Sequence, residues 1–423
     1  MRLVMHFLYN ILQLLFLLLF WPLIGLVVLA KPKYRKRILG RLGWGLRRII
    51  QLPAHGKKTI WVHALSVGEV TSALPLVRGI RRTMDVNLVF SVTTLTGARH
   101  AEETIAPHVD RIVPFPIDIL PVVEYFLGVI KPDVFILVET DFWPNLLTVL
   151  RRKKIPALLV NGRISRKSMD SYRRLSFLFR QLFLSFSALS MQTAADRENM
   201  IDLGVSVEKV FSLGNLKFDT SVPQGEKPAV INRPSGIRIV AGSTHRGEED
   251  ALLYTFSKLK SHWQDTSLVI APRDISRGKE IQDLAKSRGF TAALRSQGPR
   301  SSPPDLLILD TIGELVGYYQ DCDIAYVGGS LVEQGGHNPI EPAVVGVPVL
   351  FGPHMEDFAE IAADLLAAGG AIRVYDADSL FRALERLLSD PDFRLETGTK
   401  AATSIKEKQG VVSRHLELIR KFL

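Results

Sequence analysis

Glu69 is the first acidic residue of the chain. It closes the string Trp61-Val62-His63-Ala64-Leu65-Ser66-Val67-Gly68-Glu69, a strand-like run, a turn of small residues and the opening of a helix-like pattern. In the turn formed by Ser66 and Gly68, glycine permits a ligand to come close to the backbone, and the helix start offers free N–H groups. A carboxylate there can take a proton from an attacking hydroxyl, or simply sit favourably at a helix N-terminus. In the second half, Ser243-Thr244-His245 and Pro272-Arg273 each end a strand-like run. Arg273 can meet a phosphate or carboxylate with two parallel hydrogen bonds, or form a surface ion pair. Asp310-Thr311-Ile312-Gly313-Glu314 follows another such run and predicts a helix start capped by Thr or Asp. The densest string is Gly328-Gly329-Ser330, then His337-Asn338-Pro339-Ile340-Glu341-Pro342. Gly-Gly-Ser after a strand can form a nest of backbone donors, Pro339 suits the first turn of a helix, and Glu341 can accept from ribose hydroxyls, so a nucleotide site is expected. His63, His245 and His337 lie at strand or loop ends, where hydrogen bonding is expected rather than metal ligation. No dinucleotide fingerprint, phosphate-binding lysine loop or metal-ligand cluster competes, and a single Cys excludes disulfide frameworks, cysteine-ligated zinc and iron–sulfur clusters.

The elements that must position these residues alternate. Strand candidates Thr59–Leu65, Asn87–Thr94, Arg111–Pro116, Asp133–Glu139, Ala157–Asn161, Ala188–Gln192 and Lys209–Leu213 are interleaved with helical segments such as Val70–Thr83, Pro121–Lys131 and Trp143–Lys154. Residues 219–236 are rich in Pro and polar groups and read as a linker. Alternation resumes with strands Ile237–Gly242, Ser267–Ala271, Leu306–Leu309, Ile324–Val327 and Pro348–Phe351. Helices are expected over Glu248–Lys260, Lys279–Arg288, Thr311–Asp321, Asp357–Ala368 and Ser379–Ser389. The class is α/β, with two Rossmann-like doubly wound domains, 54–218 and 237–423, facing one cleft. That is the glycosyltransferase-B arrangement, shared with some sugar-nucleotide epimerases.

The net charge of +10 is not spread along the chain. The first 53 residues hold nine cations and neither Asp nor Glu, so a nucleic-acid partner is disfavoured. Ile11–Ala30 is long enough for one bilayer core, and Lys31, Lys33, Arg35, Lys36 and Arg37 follow at once. Residues 1–30 are therefore expected to be an uncleaved anchor rather than a signal peptide, whose apolar core is shorter. The stretch 31–53 is a basic collar against anionic headgroups, with everything after it cytoplasmic.

The strings HALSVGE at His63–Glu69, ETDFWPN at Glu139–Asn145, NGRIS at Asn161–Ser165, GNLKFD at Gly214–Asp219, AGSTHRGEE at Ala241–Glu249, and GGS through HNPIEPA at Gly328–Ala343 resemble the 3-deoxy-D-manno-octulosonic acid (Kdo) transferases of lipopolysaccharide assembly. The resemblance covers about residues 1–360. It implies transfer of Kdo from CMP-Kdo to the tetraacyl lipid A precursor, with inversion, without a metal and without a cofactor, at the inner membrane. It makes Glu69 the general base and assigns CMP-Kdo to Pro272 and Arg273, to Ile312, Gly313 and Glu314, and to Asn338, Pro339, Ile340 and Glu341. Ser66, Gly68, Ser243, His245, Gly328, Gly329, Ser330 and His337 are further candidates. Asp274 stands where the family commonly has His, and the loop Val332-Glu333-Gln334 has no basic residue. The competing readings are a UDP-sugar transferase of the same fold, a membrane-tethered epimerase, and a nucleotide-binding scaffold.

Overall fold

The computed structural model describes residues 9–16, 18–20, 32–51, 56–139, 141–164, 166–219, 236–298 and 302–423. Two units result, one made of the chain up to Asp219 together with Gly410–Leu423, the other of Thr220–Gln409. The predicted linker lies, apart from Asp219 and Gly236, outside the described residues.

The first unit is built on seven parallel strands, β1 (Thr59–Ala64), β2 (Asn87–Val92), β3 (Arg111–Pro114), β4 (Val134–Val138), β5 (Ala157–Gly162), β6 (Ala188–Met191) and β7 (Val210–Ser212), in the order β3-β2-β1-β4-β5-β6-β7. Strands β1, β2, β4 and β5 are buried throughout, as apolar runs covered on both faces by helices must be. The second unit repeats the plan with β8 (Arg238–Thr244), β9 (Ser267–Pro272), β10 (Ala292–Leu294), β11 (Leu306–Ile308), β12 (Ile324–Val327), β13 (Val349–Phe351) and β14 (Ala371–Arg373), in the order β10-β11-β9-β8-β12-β13-β14. Ile239 and Ala241 enter one core cluster and Val240 another, because alternate residues of a strand face opposite sides of the sheet. In each sheet the direction of winding reverses beside the first strand, between β1 and β4 and between β8 and β12. Crevices beyond the carboxyl ends of such strands are where doubly wound folds take ligands.

Two expected boundaries move. The basic stretch is part of the first domain: the helix Pro32–Arg41 lies against it through Arg41 Nε to the Phe115 carbonyl at 3.0 Å, and Leu46 is buried in its core. At the other end, residues 410–423 belong to the first unit. Gly410 turns the chain at φ +82°, and Asp219 accepts from the Gly410 and Val412 amides at 2.8 and 2.6 Å. His415 Nε2 meets Ser190 Oγ at 2.8 Å, and Gly79 leaves room for Val412 and Leu416. An apolar stripe on one helix does not announce which sheet will cover it. A chain ending at Gln409 uncovers Val411, Leu416, Leu418 and Ile419 partners, each worth about 1.5–3 kcal/mol. Calorimetry should show the first unit's transition falling by on the order of 10 °C, and a fall in the second unit's transition instead would refute the assignment.

Among the described residues no helix is long and apolar enough to cross a membrane. Much of the expected anchor, residues 1–8, 17 and 21–30, lies outside them. The described helical part meets the first domain through Tyr9 Oη to Asp118 at 3.1 Å, Asn10 to Asn145 at 2.9 Å and Gln13 to the Asp118 carbonyl at 2.9 Å, while Leu12, Leu15 and Leu19 are exposed.

Candidate active site

In the first unit the helix Val67–Thr83 starts directly beyond β1, with Ser66 at its N-cap and Glu69 in its first turn. Glu69 folds back so that Oε2 accepts from the Leu65 amide. Burial raises its carboxyl from 4.5 to about 8; the Leu65 and Ser66 amides work against the rise, while Glu139 and Asp141 add to it. No ion pair holds Glu69 among the described residues, and the space facing Gly68 is open. The group can therefore hold a proton at neutral pH and exchange it with a ligand.

Beside it stands a network that inspection of the sequence missed. Glu139, just past β4, has φ +62°, and Asn161, next to last in β5, has φ +57°. Non-glycine residues accept such backbone angles only when their surroundings dictate them. Here Ser72 Oγ and Asn161 Nδ2 donate to Glu139 Oε1 at 3.1 and 3.3 Å, and Asn161 Oδ1 accepts from the Leu216 amide at 2.9 Å. Polar residues closing apolar strands were the available signal. His63 by contrast is wholly buried, stacked on Phe115 at 3.6 Å and bonded through Nδ1 to Ser91, with burial lowering its pKa to about 3. It is a neutral packing group.

In the second unit Ser243, next to last in β8, has φ +57°, and His245 and His337 come together with Nε2 atoms 2.9 Å apart and rings nearly parallel. One imidazole must donate and the other accept. Burial, Arg273 and His245 lower His337 to about 4. Pro272 is the last residue of β9; Arg273 follows, exposed, with its amide on the Thr244 carbonyl at 2.9 Å and no ion pair among the described residues. Asp274 caps the next turn by accepting from Ser276. Asn338 Oδ1 accepts from the Ile340 amide, and its Nδ2 donates to Glu341 at 3.2 Å. Burial raises Glu341, an effect that the Asn338 bond opposes. Among the described residues no group of three or more His, Cys, Asp or Glu is disposed to hold a metal ion.

Three expectations are corrected. The nest after β12 exists, but it is filled from within: Glu248 accepts from the amides of Gly329, Ser330 and Leu331 at 2.7, 3.0 and 3.0 Å, from the His245 amide at 2.9 Å and from Tyr326 Oη at 2.7 Å. A carboxylate four residues past β8 already supplies the anion the loop was expected to seek, so Gly329 and Ser330 shape the loop without offering those donors. Gly328 serves contact with the Ser243 backbone, where any Cβ would collide. Second, neither Asp310 nor Thr311 caps a helix. Gly313 at φ +90° delays the helix to Leu315–Gln320, Asp310 binds Ser296, and Glu314 is held by Arg295 at 2.8 Å and Thr311 at 2.7 Å, leaving Ile312 fully in solvent. Third, Pro339 is the N-cap of the helix Ile340–Val344 rather than part of its first turn.

Residues 36–220 match the family model described as 3-deoxy-D-manno-octulosonic-acid transferase, and residues 249–404 match that of glycosyl transferases group 1. The 3-deoxy-D-manno-octulosonic acid transferase of Haemophilus influenzae is 31% identical over 95% of this chain and 94% of its own. That of Aquifex aeolicus is 30% identical over 87% and 94%. Among solved structures, the calicheamicin glycosyltransferase CalG4 superposes with a TM-score of 0.55 at 15% identity over 87% of this chain and 99% of its own, a likeness of fold alone. Together with the two parallel α/β sheets this is the glycosyltransferase-B fold. The chain belongs to the 3-deoxy-D-manno-octulosonic acid transferase family, glycosyltransferases that transfer Kdo in lipopolysaccharide biosynthesis.

Proposed function

We propose that this chain transfers Kdo from CMP-Kdo to the tetraacyl lipid A precursor, lipid IV(A), with inversion at the anomeric carbon and without a metal or other cofactor. The observation that carries this reading is Glu69, a half-buried carboxyl without an ion-pair partner among the described residues, raised to about 8 beside open space. It takes the proton of the acceptor hydroxyl as that oxygen attacks Kdo. In the second unit Arg273 and the His245–His337 pair meet the phosphate of CMP, while Asn338 and Glu341 hold the ribose side. A nucleoside monophosphate leaves with one phosphate, so one guanidinium and neutral donors suffice to stabilise it. The apolar N-terminal segment and the basic collar hold the enzyme at the inner membrane, with the catalytic domains on the cytoplasmic side, at the surface where its lipid acceptor resides.

The test is incubation of purified full-length protein with CMP-Kdo, generated in situ, and lipid IV(A), with product masses read directly. A mass increase in Kdo units supports the reading. Absence of product from folded protein with verified donor, or transfer from a UDP-sugar instead, refutes it. Arg273→Ala should weaken CMP binding by roughly 1.5–3 kcal/mol, the worth of a hydrogen bond to charge; titration calorimetry giving an unchanged affinity would remove Arg273 from the site.

A further inference from the structure

At the carboxyl edge of the first sheet lies a half-open cavity of about 200 Å³. Its walls are apolar, chiefly Val92, Leu95, Ile112 and Pro114, and its polar groups are Arg37, Arg41, Thr93 and Thr94, with Glu102 also contributing. Arg37 and Arg41 are four apart on the helix Pro32–Arg41 and therefore share one face. Each spends one donor on fixing itself, Arg37 Nη2 on the Thr93 carbonyl and Arg41 Nε on the Phe115 carbonyl. Neither has an ion pair among the described residues. Burial and the charge of Arg37 both disfavour the charged form of Arg41. Asp141 opposes those effects only in part, and with no carboxylate at ion-pair distance among the described residues the two crowded, partly desolvated guanidiniums are completed by a doubly charged anion offering several acceptors.

The cavity adjoins the proton acceptor. The Thr94 amide donates to the Leu65 carbonyl at 2.9 Å, and the Leu65 amide in turn is the one held by Glu69. At Gly97 an added Cβ would lie 3.1 Å from the Ser66 carbonyl carbon, so the helix Leu95–Thr104 packs directly on that turn. A ligand group in the cavity is thus indexed to Glu69 through a single layer of backbone.

Resting on the function proposed above, we infer that this cavity is an acceptor subsite: it seats a phosphate monoester of the acylated disaccharide between Arg37 and Arg41, with the apolar wall against the methylenes next to it. Binding a phosphate there orients the sugar hydroxyl toward Glu69. The collar's charge then serves recognition of one particular phosphate, not only attraction to a membrane surface.

The experiment compares kcat/KM for lipid IV(A) bearing both phosphates with that for its two singly dephosphorylated forms, in the intact chain and in Arg37→Gln and Arg41→Gln. In the unaltered protein, removal of one of the two phosphates should cost roughly 10–100-fold, the range of a lost hydrogen bond to charge. Each variant should lose a comparable factor on the full acceptor, and should lose little more when that same phosphate is absent. Arg41→Lys should recover part of the loss, and an unchanged calorimetric transition of the first unit, which carries both arginines, reports that the variants are folded. Equal kcat/KM for variant and unaltered protein on the full acceptor, or losses that simply add, overturns the subsite. So does a variant that loses binding to phosphatidylglycerol vesicles while keeping its preference between acceptors, since the cavity would then serve bulk headgroups. If the unaltered protein transfers no Kdo, the proposed function fails, and equilibrium binding of the three acceptor forms to unaltered and Arg37→Gln protein still decides the subsite.

Discussion

Glu69→Gln is expected to lower Kdo transfer at least about 100-fold with CMP affinity nearly unchanged, since the amide keeps shape and burial but cannot take a proton. The same residue sets the pH profile. A carboxyl raised to about 8 is mostly protonated at neutral pH, so kcat/KM should climb about tenfold per pH unit below that value and level off above it. The variant should lack that limb. Stability should move the opposite way. Between 4.5 and 8 the folded state holds a proton at Glu69 that the unfolded chain has released, so the stability it contributes is present at low pH and is lost as pH rises through 8. Glu69→Gln should therefore be the more stable protein above pH 8, the usual exchange of stability for activity at a site kept away from water. Full turnover in the variant, or a flat profile from pH 6 to 9 in the unaltered enzyme, would remove Glu69 from its role.

Glu248→Ala should produce the largest loss of stability of any single replacement in the second unit. It strips acceptors from four backbone amides and a buried tyrosine hydroxyl. Each buried donor left unsatisfied costs about 1–3 kcal/mol, and even with water entering the vacancy a total of roughly 4 kcal/mol is expected. By calorimetry the transition of that unit should fall by on the order of 10 °C. The emptied nest should also acquire affinity for small anions, so sulfate should stabilise the variant more than the unaltered protein. A transition within a degree of the original would contradict the role given to this carboxylate.

Periodicity made most of the architecture legible. Ile324–Val327 and Glu248–Lys260 have the predicted ends, and most other central strands shift by one or two residues. The two strands missed, Ala292–Leu294 and Ala371–Arg373, form the two edges of the second sheet and are only three residues long, too short for an apolar pattern to mark them as strands. Candidate site residues could be named from the sequence where a single chemical feature marks them, as with Glu69, Arg273 and His337. Glu248 was invisible in that sense. Its significance lies in reaching a loop some 80 residues away, and nothing local distinguishes it from Glu249, which binds Arg277 and Thr244 instead. The Glu139–Asn161 contact likewise joins two strand ends whose adjacency only the sheet order reveals.

The return of residues 410–423 to the first unit has a consequence for synthesis. The first domain is emitted early but lacks its last helix until the ribosome has made the whole second domain. At 5–20 residues per second that delay is roughly 10–40 s. During it the groove around Gly79 stays uncovered, and Ser190 waits for His415. The nascent first domain is therefore an incomplete fold while residues 220–409 are being made, and the helix Val411–Arg420 closes it only after the second domain has emerged.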